Sequence, residues 1–251
     1  PEAPGNELVR MLADLDAART RAPDRRRWVM VVDTRKCIGC NACTVACRAE
    51  NCVGPAGSYR RVLRVESGRG EWMSATFKPA NCMQCDNPPC ARAVPEGMIR
   101  KRPDGIVEFD YARLKGQFAR AAAAACPYGA IHIEDGRAFT EGTPALQPYE
   151  TQEFREYGRS WRRQELVGTA RKCHFCLHLI EAGTLPACVS TCIGAAMYFG
   201  DASDPKSLVS ELLARNRSLR HKADLDTRPR VYYLAEPFAN TPQAACTNCH
   251  Y

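Results

Sequence analysis

No apolar run in this chain approaches the roughly 20 residues that a membrane-crossing helix needs, so the sequence offers no transmembrane span. It has no P-loop, no GxGxxG dinucleotide fingerprint and no catalytic-triad pattern, which removes the common phosphate-cradling and acyl-transfer chemistries. Its basic residues are not gathered on one helix face. The 35 Lys and Arg against 28 Asp and Glu give a formal charge of +7, but they are scattered, and cysteines held as thiolates on metal offset them. Nucleic acid is therefore not an expected partner. The opening PEAPGNELVRMLADLDAART has neither a basic n-region nor an apolar h-region, so no export signal is visible. Position 1 is Pro, and removal of such a signal is the expectation that accounts for it.

What the chain has in excess is cysteine, 15 in 251 residues. Such a count means either the disulfides of a secreted protein or ligands on metal, and spacing separates the two. Most fall in tight C-x-x-C clusters, where neighbouring thiols converge on one small object. CIGCNACTVAC holds Cys37, Cys40, Cys43 and Cys47 in the C-x2-C-x2-C-x3-C order of bacterial ferredoxins. There the first three bind one iron–sulfur cluster and the fourth binds the other cluster of a pair. Structural zinc would instead favour two C-x-x-C pairs. A second motif, CMQCDNPPC, holds Cys82, Cys85 and Cys90, and the position for its fourth ligand is Val94, followed by Pro95. The last motif holds Cys173, Cys176, Cys188 and Cys192.

Between these lies LKGQFARAAAAACPYGA, which keeps the final cysteine of a cluster motif, Cys126, and lacks the three before it. Laid back from Cys126 with the first motif's spacing, the missing positions are Gly116, Ala119 and Ala122, all small. In a paired-cluster arrangement the first three ligands of one motif join the last ligand of the other. Cys82, Cys85 and Cys90 thus need Cys126, which is present. The mirror site would need 94, 116, 119 and 122, and all four have lost cysteine together. The same pairing joins Cys37, Cys40 and Cys43 to Cys192, and Cys173, Cys176 and Cys188 to Cys47. The expectation is three [4Fe-4S] clusters and one vestigial site, with Val94 and Phe118 packing into the vacated volume.

These motifs resemble the iron–sulfur electron-transfer subunits of the molybdopterin oxidoreductases, those of the polysulfide, thiosulfate, tetrathionate, dimethyl sulfoxide and formate enzymes. The resemblance is carried by residues 33–51, 85–90, 104–111, 125–130 and 172–192, and continues through 198–213 and 227–234. It implies an α+β fold of two interlocked ferredoxin-like halves, normally with four clusters forming a wire. One end faces a catalytic molybdopterin subunit, the other a membrane quinone-binding subunit or a cytochrome. The subunit itself does no bond chemistry on a substrate. It would lie on the periplasmic side of the membrane as a peripheral part of a complex. A related sulfur-metabolism branch uses three-cluster subunits without a molybdenum partner, and stands as the alternative.

Along the chain, residues 1–27 read as a docking segment with a helical stripe at Leu8, Met11, Leu12 and Leu15. Residues 28–74 with 171–200 read as the half carrying two clusters, and 75–135 as the half carrying one cluster and the vestigial site. Strands are expected at 28–33, 105–110 and 130–136, and a helix over the alanine run. Residues 136–170 form a polar insertion. Residues 201–234 hold a helix, with Asp204 as its cap and Leu208, Leu212 and Leu213 inward, then a strand. His174 and His178 read as hydrogen bonders beside a cluster, and Cys52 as a buried thiol. The extended tail, 235–251, ends CTNCHY. Cys246, Cys249 and His250 form a C-x-x-C-H, the attachment motif of a c-type haem, with two thioethers and a proximal ligand. A disulfide, free thiols, or a zinc or cluster site completed by Cys52 are the other readings of that tail.

Overall fold

Residues 28–33, Trp-Val-Met-Val-Val-Asp, are apolar almost without interruption, the pattern of a strand covered on both faces. The computed structural model describes residues 6–55, 57–68, 73–136 and 166–234. Its strands are β1 (Trp28–Asp33), β2 (Arg60–Ser67), β3 (Ser74–Asn81), β4 (Ile99–Lys101), β5 (Val107–Phe109), β6 (His132–Ile133), β7 (Ala170–Arg171), β8 (Met197–Asp201), β9 (Ser218–Leu219) and β10 (Val231–Leu234). Its α-helices are α1 (Glu7–Arg19), α2 (Ala42–Glu50), α3 (Pro89–Arg92), α4 (Gly116–Ala124), α5 (Leu177–Glu181), α6 (Ala187–Ser190) and α7 (Leu208–Arg215). The fold is α+β, and every residue of β1 is buried.

β1 is an inner strand of a four-stranded sheet ordered β8-β1-β10-β9, antiparallel to β8 and parallel to β10. Side chains alternate across a strand, so the two faces differ. One face carries α7, which comes close because Gly200 has no side chain: a Cβ there would stand 3.1 Å from Val209. α1 lies beside α7 on β8, and Asp14 of α1 accepts the Leu208 N–H at 2.7 Å. On the other face Trp28 stacks on Phe199, and Phe199 meets Phe175 edge to face, both at 5.4 Å between ring centroids. Phe175 belongs to the last cysteine motif. The sheet's aromatic face is thus the floor on which the cysteine loops rest.

Several expectations are corrected here. The inward positions of α1 are Met11, Leu15 and Ala18, while Leu8 and Leu12 are each 37% exposed. The helix seats a narrow i, i+4, i+7 stripe in the core. The helix after Asp204 begins at Leu208, and its cap is Ser207, whose hydroxyl accepts the Ser210 N–H at 3.3 Å. Asp204 caps only the turn before it, through Lys206 N at 2.9 Å. The boundary expected at 74/75 falls at the start of β3, whose ladder with β2 is continuous, so this hairpin is one piece. Cys52 is half-buried instead of buried, because it stands in the turn leaving α2 with its thiol against Ala49 O.

Candidate metal centres

The cysteines sit in tight turns with an unusual backbone. In the first C-x-x-C of each of the three motifs the residue before the second cysteine is left-handed: Gly39 at φ 72°, Gln84 at φ 49° and Phe175 at φ 58°. Glycine adopts this freely, and Gly39 also needs its bareness, since a Cβ would stand 2.6 Å from the Phe77 ring. For Gln84 and Phe175 the conformation carries strain that surrounding contacts must hold. Gln84 is fully buried, and its amide bridges the Cys173 carbonyl at 2.7 Å and the Val107 N–H at 2.8 Å. Phe175 is clamped by Phe199. Such turns aim backbone N–H groups inward at negative charge. Phe175 N reaches the Cys173 sulfur at 3.4 Å, and Ala196 N reaches that of Cys192 at 3.2 Å.

Three groups of thiols result. Cys37, Cys40, Cys43 and Cys192 line one recess of about 310 Å³, with Val62, Pro79 and Met197. Cys47 lies among Cys173, Cys188 and Cys176, close enough for their charges to raise its own pKa. Cys90 lies among Cys82, Cys126 and Cys85, whose charges raise its pKa, and these four form the third set. The first two groups interleave because α2 packs on α6. α2 carries Cys43 and Cys47 one turn apart, α6 carries Cys188, and Cys192 follows two residues past its end. α2 thus gives one thiol to each group, and so does the segment 188–192.

Burial pushes the thiols of Cys85, Cys90 and Cys173 up to about 12 and that of Cys176 up to about 11, and neighbouring cysteine charges add to the effect. Ionising such a group requires positive charge in the space the sulfurs share. Among the described residues the twelve cysteines of these groups are not in disulfides, and no set of three or more His, Cys, Asp or Glu could hold a single metal ion. A lone zinc would need its sulfurs about 2.3 Å away. The donor sets suit an object larger than one ion.

The position opposite Cys126 differs. Ala119 and Ala122 are fully buried in a second apolar core with Leu114, Val107, Phe109, Ile131 and Ala170, and Val94 and Phe118 pack half-buried against it. Gly116 does not join them. It is exposed at the start of α4, with φ 56° and nothing within 4 Å of a Cβ. Three of the four cysteine-less positions are closed by hydrocarbon, and one faces outward.

His174 is buried against Tyr59, its Nδ1 accepts the Leu177 N–H at 3.0 Å, and burial holds its pKa down near 3, so it is neutral. His178 pairs with Glu50 at the surface. Several residues around the thiols carried no signal in the sequence. Asn51 donates to the sulfurs of Cys176 at 3.5 Å and Cys47 at 3.7 Å, and Asn81 to that of Cys173 at 3.8 Å. Lys172 is buried with its ammonium on Val107 O at 2.5 Å and Cys173 O at 3.0 Å. Arg60 is buried among the thiols of the first two groups. Cys246, Cys249 and His250 lie outside the described residues.

Residues 73–142 and 157–202 match a family model described as a 4Fe-4S dicluster domain. The chain is 44% identical over 230 residues to the B subunit of the selenate reductase of Mesobacillus selenatarsenatis, spanning 90% of this chain and 78% of that one. It is 35% identical over 221 residues to the B subunit of the tetrathionate reductase of Salmonella typhimurium, spanning 86% and 75% of the two chains. With the B polypeptide of the polysulfide reductase of Wolinella succinogenes the identity is 30% over 213 residues, spanning 83% and 94%.

Proposed function

Because this polypeptide belongs to the family of iron–sulfur electron-transfer subunits of reductase complexes, we propose that it carries electrons through three [4Fe-4S] clusters held by the three thiol groups. The ligand sets are Cys37, Cys40, Cys43 and Cys192; Cys47, Cys173, Cys176 and Cys188; and Cys82, Cys85, Cys90 and Cys126. The observation that carries this reading is the interleaving of α2 and α6, which leaves each of the first two groups with four thiols from two distant motifs. When bound, such a cluster takes up and releases one electron at a time. The chain's own residues supply the rest. The strained turns present N–H groups to the sulfurs, Asn51 and Asn81 add side-chain donors, and the apolar floor of Trp28, Phe175 and Phe199 keeps water away.

The arrangement is read as two interlocked ferredoxin-like halves, one with two clusters and one with a single cluster beside the alanine-filled site. The partners are a catalytic subunit, of molybdopterin type, and a membrane quinone-binding subunit or a cytochrome. The names of the selenate and tetrathionate reductase relatives support a complex that reduces an oxidised inorganic anion. Among the described residues no helix is long and apolar enough to cross a membrane. We read the subunit as a peripheral one, on the periplasmic side. Cys246, Cys249 and His250 are read as a haem attachment on the strength of their spacing.

Iron and acid-labile sulfide analysis of the anaerobically purified complex, with electron paramagnetic resonance after reduction, tests the cluster reading. Four irons and four sulfides per thiol group, with all three groups filled, is the expected result. Iron for fewer groups, or zinc in its place, would overturn it.

A further inference from the structure

Arg60 opens β2 and is 2% exposed. A guanidinium has five N–H donors and no way to shed its charge. Here only Nη2 is engaged, by Met30 Sδ at 2.8 Å and Asn81 Oδ1 at 3.1 Å. Nε and Nη1 are buried with no hydrogen-bond partner among the described residues. No carboxylate pairs with it there. The neighbouring buried cations are not left in this state. Arg171 holds Glu134 at 2.6 Å, and Lys172 sits on two carbonyls. A buried, unpaired cation with two orphaned donors is strongly unfavourable unless negative charge arrives beside it.

The structure shows where that charge would come from. Burial works against the charged form of Arg60, and the charges of Cys188, Cys43, Cys173 and Cys47 work for it and prevail. Those four cysteines belong to two different groups: Cys43 to the first, and Cys47, Cys173 and Cys188 to the second. Val62, two residues along the same face of β2, lines the recess of the first group, and Asn81, opposite Arg60 on β3, reaches the second, so Arg60 lies beside both. Asn81, which accepts from Arg60, itself donates to the Cys173 sulfur.

We propose that Arg60 is an electrostatic bridge between the first and second cluster sites, donating Nε–H and Nη1–H to sulfurs there and raising the reduction potentials of both. It is a positioning residue: it sets how firmly an electron is held on this pair relative to the Cys82, Cys85, Cys90 and Cys126 site. A fixed positive charge stabilises the reduced, more negative state of any cluster beside it. The inference rests on the three-cluster reading above.

The test is a redox titration of the holo-complex followed by electron paramagnetic resonance, on wild type, Arg60→Lys and Arg60→Met, with iron content measured on each sample. In Arg60→Met two of the three signals are expected to move to lower potential. At a fixed potential the ratio of reduced to oxidised cluster falls at least tenfold, about 59 mV for a one-electron couple. The third signal stays in place, and Arg60→Lys recovers most of the shift. Full iron with all three midpoints unmoved would overturn the proposal and leave the cluster reading intact. Wild type short of iron for three clusters would instead sink the cluster reading itself. Should Arg60→Met fail to load, protein labelled with guanidino-15N arginine decides. A 15N coupling to the reduced clusters, lost in Arg60→Lys, is expected, and its absence from wild type would overturn the bridge.

Discussion

The side-chain amide of Gln84 donates to the main-chain carbonyl of Cys173 at 2.7 Å, across 89 positions of sequence. Its oxygen accepts from Val107 N, and its own backbone is left-handed. One fully buried residue therefore fixes the turn between Cys82 and Cys85, the start of the last cysteine motif and the edge of β5. Gln84→Leu keeps the volume and deletes both bonds. It leaves the buried Val107 N–H unpaired, at about 1–3 kcal/mol, while the Cys173 carbonyl keeps the Lys172 ammonium at 3.0 Å. We expect chemical denaturation of the holo-protein to show a loss of roughly 1–3 kcal/mol. A loss below about 1 kcal/mol would mean that the bridge is not formed.

Cys126 stands with Cys82, Cys85 and Cys90, and apart from the other two groups. Cys126→Ser should therefore remove or degrade one cluster alone. Iron analysis would fall by one cluster's content or by a single iron, and one set of resonance signals would change. Loss of signals from the Cys37 or Cys47 sets would show that the ligands are shared differently.

Some of this was legible in the chain and some was not. The cysteine turns are short-range objects: ligands two or three residues apart have little freedom, so spacing alone announces them. β1 was legible because five apolar residues in a row have few other fates. The β2–β3 hairpin was not. Its first strand reads Arg-Arg-Val-Leu-Arg-Val-Glu-Ser, with no clean alternation. Arg60 and Arg61 look alike in sequence, yet Arg60 is buried and Arg61 reaches Gly129 O at the surface. Only the two-residue step from Arg60 to Val62, which lines the first recess, hints at the difference. Asp204 reads as a cap because Asp is a favoured N-cap residue. Ser207, three residues on, is the one whose backbone is extended at the turn into α7.

The buried pair of Arg171 and Glu134 ties β6 and β7 to the turn after α2, since Arg171 also donates to Asn51 O at 2.9 Å and Tyr59 Oη at 3.0 Å. Removing one partner leaves a buried charge uncompensated, which costs about 3–5 kcal/mol. Glu134→Leu alone should destabilise by that amount in denaturant titrations. Paired with Arg171→Met it should recover a substantial part. An additive double variant would show that the two side chains are not coupled.

Ala122 is fully buried where α4 meets the second core, whereas Ala124, on the same helix, is exposed. If hydrocarbon has closed the fourth site tightly, Ala122→Leu overpacks it and costs about 1–3 kcal/mol. Ala124→Leu should change stability by less than about 0.5 kcal/mol. Thermal unfolding of the two variants compares them directly. Equal effects would mean that the volume around Ala122 is still open, and that the missing cysteines left a void instead of a core.

The tail makes a prediction that the rest of the chain cannot make for it. Acid denaturation strips iron–sulfur clusters, because protons displace iron from thiolates. It does not break the two thioethers that a c-type haem would form with Cys246 and Cys249. The intact mass of the acid-denatured subunit is therefore expected to exceed the mass of its polypeptide by one haem. That result would give the proposed wire a fourth redox centre besides the site read as vestigial at Val94, Gly116, Ala119 and Ala122. It would also require maturation outside the cytoplasm, in keeping with a periplasmic complex. An unmodified mass would remove the haem and leave Cys246, Cys249 and His250 as a disulfide with a spare imidazole or as a site for a dissociable metal. The electrons would then have to leave through the Cys82, Cys85, Cys90 and Cys126 cluster directly.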